Sequence, residues 1–219
     1  MHYRYATEAD APAMAELFAA NRRDALTERQ RSEQGFVQGN FDVAALRAMA
    51  RAGSLLVADD TADADDRADA DDRADADDAH DAGEPGGPGS SSAPRHAARV
   101  VGLLALSSPE QMSSPPPPVR ALLDAQDSLH WQGRPLSSWR WLMYGPVVVD
   151  AACRGRGVAR GLFDLAVEAA AGRADAVVAF IEAENRASWR VHVDGFGMRP
   201  LGEYTTDGRT YSAVAAPAR

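Results

Sequence analysis

An apolar run, Pro146-Val147-Val148-Val149, leads within a few residues into Arg154-Gly155-Arg156-Gly157-Val158-Ala159, and a helical pattern follows at once. This order constrains the chain more than any other feature. A strand feeding a glycine-rich turn that opens a helix leaves several backbone N–H groups unpaired at the positive end of the helix dipole, an arrangement that binds phosphate. Glycine at 155 and 157 allows unusual φ values and close approach of a ligand to the main chain. Val158, Leu162, Leu165, Ala166 and Ala169 then recur at helical spacing, and Gly172 stands where a C-terminal cap belongs. The next apolar run, Ala176 to Ile181, alternates little and reads as a strand buried on both faces, so the unit is strand, loop, helix, parallel strand. A nucleotide-binding loop of the Gly-Lys-Ser/Thr type is excluded because those residues do not follow. A dinucleotide fingerprint is excluded because Gly161 sits one residue too far from Gly157. An ordinary tight turn with solvated arginines is the remaining alternative.

A second constellation lies downstream: Asn185, Ser188 and His192, then Gly195-Phe196-Gly197. Arg154, Gly157 and Ala159 satisfy the pattern Q/R-x-x-G-x-G/A, which resembles the coenzyme A pyrophosphate loop of the GCN5-related N-acetyltransferases (GNAT). Many members of that family also open a helix with Asn-x-x-Ala/Ser after the fifth strand, place Tyr or His seven residues beyond the Asn, and continue with Gly-Phe. Here Gly195 falls one residue early and Gly197 one residue late for that glycine.

The N-terminal half is compatible with the same plan. Tyr3 to Tyr5 reads as a first strand, and Asp10 with Pro12 opens a helix bearing Met14, Leu17 and Phe18. Phe41 to Met49 reads as a helix ended by Gly53. Leu55 to Val57, Arg99 to Leu106 and Leu142 to Val149 read as the second, third and fourth strands. Leu201 to Thr206 and Thr210 to Ala215 form a terminal hairpin turned by Asp207-Gly208. The resemblance implies an α/β fold with a mixed sheet of six to seven strands flanked by about four helices, in one domain spanning 1–219.

Two insertions interrupt it. Residues 59–97 contain the repeated hexapeptide Ala-Asp-Ala-Asp-Asp-Arg and no apolar side chain larger than Ala, so this stretch is expected to be disordered. Its closure costs little, because loop entropy grows with the logarithm of length. Residues 109–138 begin with a polyproline II spacer at Pro115 to Pro118, continue with a turn or two of helix at Val119, Leu122 and Leu123, and bring Trp131, with Trp139 and Trp141 just beyond. They read either as a lid over the acceptor or as a flap packing its tryptophans on the sheet.

Charge follows the first insertion. Residues 59–84 hold twelve Asp and one Glu against two Arg, a net of −11, while the chain carries −9, so the remainder sums to +2. The acidic balance therefore belongs to the insertion, and nucleic acid is not an expected partner. Calcium binding by the Asp repeats lacks the glycine turn of dedicated loops, and no metal is expected. No run approaches the ~20 apolar residues of a membrane span. The N-terminus lacks signal-peptide features and there is a single Cys, which makes the cytoplasm the expected location. Cys153 reads as a loop bystander or as a thiol near the coenzyme.

The resemblance implies acetyl-coenzyme A (acetyl-CoA) as co-substrate, lying where the fourth and fifth strands part. Its pantetheine would lie along Val147, Val148 and Val149, and its pyrophosphate on Arg154, Gly155, Arg156, Gly157, Val158 and Ala159, with Asn185 and Ser188 as further coenzyme-binding residues. The acceptor would be a primary amine of a small molecule or peptide, meeting the segment Leu26 to Asn40; a homodimer is an assembly compatible with the family. An alkyl amine with a pKa of roughly 10 arrives protonated, so a base is required. His192 is the candidate acid, Glu182 or Glu184 on one strand face the candidate base, and Tyr144 a further option. Each also has a bland reading, as a satisfied helix histidine, solvated carboxylates and a core tyrosine. An acyl-CoA-binding sensor without turnover, and an interaction protein working through the Asp-rich loop, are the alternatives to an enzyme.

Overall fold

The computed structural model describes residues 1–60, 99–112 and 114–219. Its elements in chain order are β1 (His2–Tyr5), α1 (Ala11–Ala20), α2 (Glu28–Gln34), α3 (Val43–Arg51), β2 (Leu55–Asp60), β3 (Arg99–Ser107), α4 (Pro117–Ala125), β4 (His130–Trp131), β5 (Arg134–Pro135), β6 (Trp141–Val149), α5 (Val158–Ala170), β7 (Ala176–Glu182), α6 (Arg186–Trp189), a π-helical turn (Arg190–Gly195), β8 (Arg199–Thr206) and β9 (Arg209–Pro217). Seven strands form one sheet in the order β1-β2-β3-β6-β7-β9-β8, and β4 and β5 form a separate hairpin. Every neighbouring pair in the large sheet is antiparallel except β6 and β7.

Side chains alternate across the sheet, so two layers are buried. Leu142, Tyr144, Val177 and Ala179 face α5, whose Val158, Leu162, Phe163, Ala166, Val167 and Ala170 complete that core. Truncating a fully buried leucine such as Leu162 would cost roughly 2–5 kcal/mol. Close packing at the sheet edge depends on Gly161, where a Cβ would lie 2.1 Å from the Tyr3 ring. On the opposite face, α1 and α3 cover β2 and β3 through Met14, Phe18, Leu46, Val57 and Leu103.

The rest of that opposite face is covered by the second insertion. Val119 and Leu122 of α4, with Leu129, Trp131 and Leu136, pack on Trp141, Met143, Val178, Leu201 and Tyr211. Trp139 meets Trp131 edge-on at 4.8 Å. This packing is what the flap reading describes. The polyproline spacer also ends sooner than expected, since Pro117 and Pro118 form the first helical turn, where a missing N–H costs nothing.

Other boundaries differ by physical detail. The third helix begins at Val43 because Asp42 caps it, accepting from the Ala45 N–H at 2.7 Å. Asp10 precedes α1 but caps nothing there; its carboxylate takes the Thr7 N–H at 2.7 Å and the Arg4 guanidinium at 2.8 and 2.9 Å. Asp59 and Asp60 belong to β2, and Asp59 is buried against Arg4, so the Asp-rich insertion begins no earlier than residue 61. From there to residue 98 it lies outside the described residues. The six helices exceed the expected four because α2 arises within the acceptor segment and α4 within the second insertion.

Candidate active site

The site starts from a failure of pairing. β6 and β7 run in register only at Trp141↔Ala176, Leu142↔Val177 and Met143↔Val178, after which they separate. β7 turns to β9 instead, while β6 stays on β3 through a bulge in which Gly145 and Pro146 together oppose Ala105. Pro146 has no N–H to offer the ladder. Beyond it, Val148 points into the core beneath α1, and Val147 and Val149 line the opening wedge. Because an antiparallel pair bonds alternate residues, half of the β6 peptide groups past the bulge point away from β3 into that wedge.

At the mouth of the wedge the chain turns through Arg154–Gly157 into α5. Gly155 and Gly157 take φ +73° and +81°, and no atom lies within 4 Å of where a Cβ would stand on either. Both glycines are there for backbone conformation and approach, not for packing. Among the described residues, the amides of Gly155 to Arg160 donate to no protein acceptor, whereas the Arg154 amide is turned inward to the Ala151 carbonyl at 3.5 Å. The unspent amides therefore run from 155 to 160, one residue along from the 154–159 expected. Arg154 contributes its side chain elsewhere: its guanidinium donates to the Asn21 carboxamide at 2.5 Å and to that of Gln34. Arg156 leans back to Asp60 at 3.4 Å and to the Cys153 sulfur at 3.7 Å.

Opposite the loop stands His192, on the π-helical turn after α6. A π-turn admits one more residue than an α-turn, which accounts for the displaced glycines at 195 and 197: the Phe196 amide reaches back five residues to Val191. Here the Ser188 carbonyl lies 2.8 Å from His192 Nδ1 and the Ser188 hydroxyl 3.1 Å. A carbonyl only accepts, so Nδ1 carries hydrogen and Nε2 bears the lone pair. The ring is buried, edge-on to Tyr144 at 5.6 Å and Phe196 at 5.3 Å. This apolar surround lowers its pKa below the usual 6.5, with the Ser188 bond opposing. The neutral ring keeps its lone pair on Nε2, so the acid role expected of His192 would require Nε2 to take up a proton first.

Between these walls lies a cleft of about 470 Å³, in the range of small-molecule sites. Val147–Val149 and the 154–160 loop form one side, Asn185–His192 and Phe196 another, and Glu33–Val37 the third. The model of the acetyltransferase (GNAT) family matches residues 99–198, which carry the wedge, the loop and His192. Over that stretch the chain is similar to the GNAT acetyltransferases. No curated protein matches its sequence significantly. Solved structures with the same fold include a GNAT-family acetyltransferase from Streptococcus agalactiae (12% identity, TM-score 0.58, covering 100% of this chain and 95% of that one). A Salmonella typhimurium protein solved with its cofactor acetyl-CoA is 16% identical, with TM-score 0.55, 100% of this chain and 94% of that one covered. The ribosomal-protein-alanine N-acetyltransferase of Brucella melitensis is 19% identical, with TM-score 0.53 and 99% of each chain covered.

Three expected catalytic side chains stand outside the cleft. Glu182 ends β7 with its carboxylate buried and fully engaged, accepting from Arg23 at 2.5 Å, from Arg209 at 3.2 Å and from Gln38. Glu184 is in the turn beyond β7, largely exposed and paired with Arg23 at 2.6 Å, so the two carboxylates share no strand face. Glu182 thereby ties Gln38 of the Leu26 to Asn40 segment to the sheet, and both carboxylates hold Arg23 just before it. Tyr144 faces α5, its hydroxyl buried without a hydrogen-bond partner among the described residues, and burial raises its pKa. Asn185 does line the cleft, but its side chain is spent: Oδ1 accepts the Ser188 N–H at 3.2 Å, and Nδ2 donates to the Phe36 carbonyl at 2.9 Å.

Asn21 and Gln34 are site residues that sequence reading missed. Neither belongs to a motif, and only the fold brings them to Arg154. Among the described residues, no group of three His, Cys, Asp or Glu side chains is placed to hold a metal, and no helix is long and apolar enough to cross a membrane.

Proposed function

We propose that this acetyltransferase moves the acetyl group of acetyl-CoA to a primary amine of a small molecule or peptide. The observation that carries the reading is the row of unspent amides from Gly155 to Arg160 at the open end of the β6/β7 wedge. Such a row suits a diphosphate, and the outward peptide groups of β6 suit the amide-bearing pantetheine that runs inward from it. The thioester would then lie toward the bulge, beside His192.

His192 Nε2 takes a proton from the incoming ammonium, freeing the lone pair that attacks the thioester carbonyl. An outward N–H of β6 steadies the oxyanion. Collapse of the tetrahedral intermediate forms the amide as its nitrogen gives up its surplus proton to water, and expels the coenzyme thiolate, which recovers a proton from the imidazolium. One residue thus serves as base and then as acid, and its lowered pKa favours the first step. The peptide alternative for the acceptor draws support from the likeness to an enzyme that modifies ribosomal-protein alanine. The test is thiol release from acetyl-CoA across a panel of amines and peptide N-termini. Turnover with any acceptor supports the reading, whereas coenzyme binding with no thiol release from the whole panel favours a sensor.

A further inference from the structure

Three ties fasten the acceptor segment over the cleft, and one of them comes from the coenzyme loop. Asn185 holds the Phe36 carbonyl, Glu182 holds Arg23 and Gln38, and Arg154 reaches Asn21 and Gln34. The third differs from the others in its ends. Arg154 begins the phosphate-binding turn, Gln34 is the last residue of α2, and Asn21 closes α1, where its Nδ2 donates to the Leu17 carbonyl at 2.8 Å. That bond fixes the Asn21 carboxamide with its oxygen toward Arg154. Both direct partners of the guanidinium are neutral amides, so its charge is unmatched by contact, and two of its five donors are in use on them. Remaining donors, and a charge met by Asp150 only at a distance, sit beside the proposed site of a polyanion.

We propose that Arg154, Asn21 and Gln34 form a clasp through which occupancy of the coenzyme loop stiffens the wall that meets the acceptor amine. Arg154 is here a positioning residue. An anion on the 155–160 amides fixes the turn that carries Arg154, and the side chain passes that restraint to the ends of α1 and α2, where Gly35, Phe36 and Val37 line the cleft. Because the link is a free-energy coupling it is reciprocal, so a restrained α2 also favours the coenzyme. The inference rests on the coenzyme reading above.

Hydrogen–deuterium exchange on the full chain, with CoA as the probe, tests it without knowledge of the acceptor. CoA is expected to slow exchange over residues 26–38 by about tenfold in the wild type, as anchoring through a charged hydrogen bond implies. Gln34→Ala removes that slowing and, by the same reciprocity, weakens CoA by up to about tenfold in calorimetry without abolishing binding, because the phosphate-binding amides are untouched. Gln34→Glu, which keeps an acceptor for Arg154, restores it. Full slowing in Gln34→Ala, or none in the wild type despite measurable CoA binding, overturns the clasp. Absence of any CoA heat in the wild type overturns the coenzyme reading itself, and the clasp with it.

Discussion

The two walls of the cleft are built from different materials. The coenzyme wall is main chain: an unpaired strand edge, a turn held by two left-handed glycines, and the first amides of a helix. The opposite wall is side chain: the segment between α1 and α3 is fastened through Arg23, Gln34, Gln38, Glu182 and Asn185 to partners more than a hundred residues away in sequence. A backbone site is general for any ligand with the right phosphate, whereas a side-chain wall changes with each substitution. On the proposed reading, the first wall would serve any acyl-CoA and the second would set the acceptor.

The sharpest way to break the contrast is Gly157→Val. A β-branched residue at φ +81° is strained and puts methyl groups where the ligand approaches, so CoA affinity is expected to fall on the order of a hundredfold. The fold should survive, since no protein atom lies within 4 Å of the new Cβ. Calorimetry with circular dichroism as control measures both. Unchanged affinity would remove the loop from the site.

His192→Ala comes next, with kcat lowered by roughly 10²–10³ and CoA affinity unchanged, as loss of a general base implies. The pH profile gives the sign. Burial depresses the His192 pKa, so kcat/KM in the wild type should hold as pH falls through 6.5 and drop only below it. That acidic limb should vanish in the variant.

Glu182→Gln separates the two walls by kinetics. It weakens the hold on Arg23 and Arg209 at the acceptor side only, so acceptor KM should rise about tenfold with kcat and the acidic limb intact. A collapse of kcat with loss of the limb would restore Glu182 as the base.

How much of this was legible beforehand follows the same division. The glycine spacing of 155 and 157, the apolar periods of β6, α5 and β7, and the Asp207-Gly208 turn are local signals, and each corresponds to an observed element. The acceptor wall left no such trace, because Asn21 and Gln34 acquire their role from Arg154, 133 and 120 residues away. Glu182 misled for a related reason. A carboxylate at a strand end looks available until Arg23, Gln38 and Arg209 are brought to it. The π-turn was visible only as a glycine out of place.

The smallest effect lies far from both walls. Asp10 is held down to about 2 by the Arg4 guanidinium. A depressed carboxylate contributes stability that is present above its unfolded pKa, near 4, and lost as pH falls toward 2. Asp10→Asn should therefore lower Tm by a few degrees at neutral pH, roughly what loss of one such pair implies, and match the wild type near pH 2. Thermal melts at the two pH values check it, and CoA affinity should not move.

The most direct measurement is a titration of the ¹⁵N-labelled protein with CoA, following the Gly155 and Gly157 amide resonances. If those amides hold the diphosphate, both shift progressively and saturate with the calorimetric affinity, ahead of any change in the β8–β9 hairpin. Saturable CoA binding with both resonances unmoved would contradict the site.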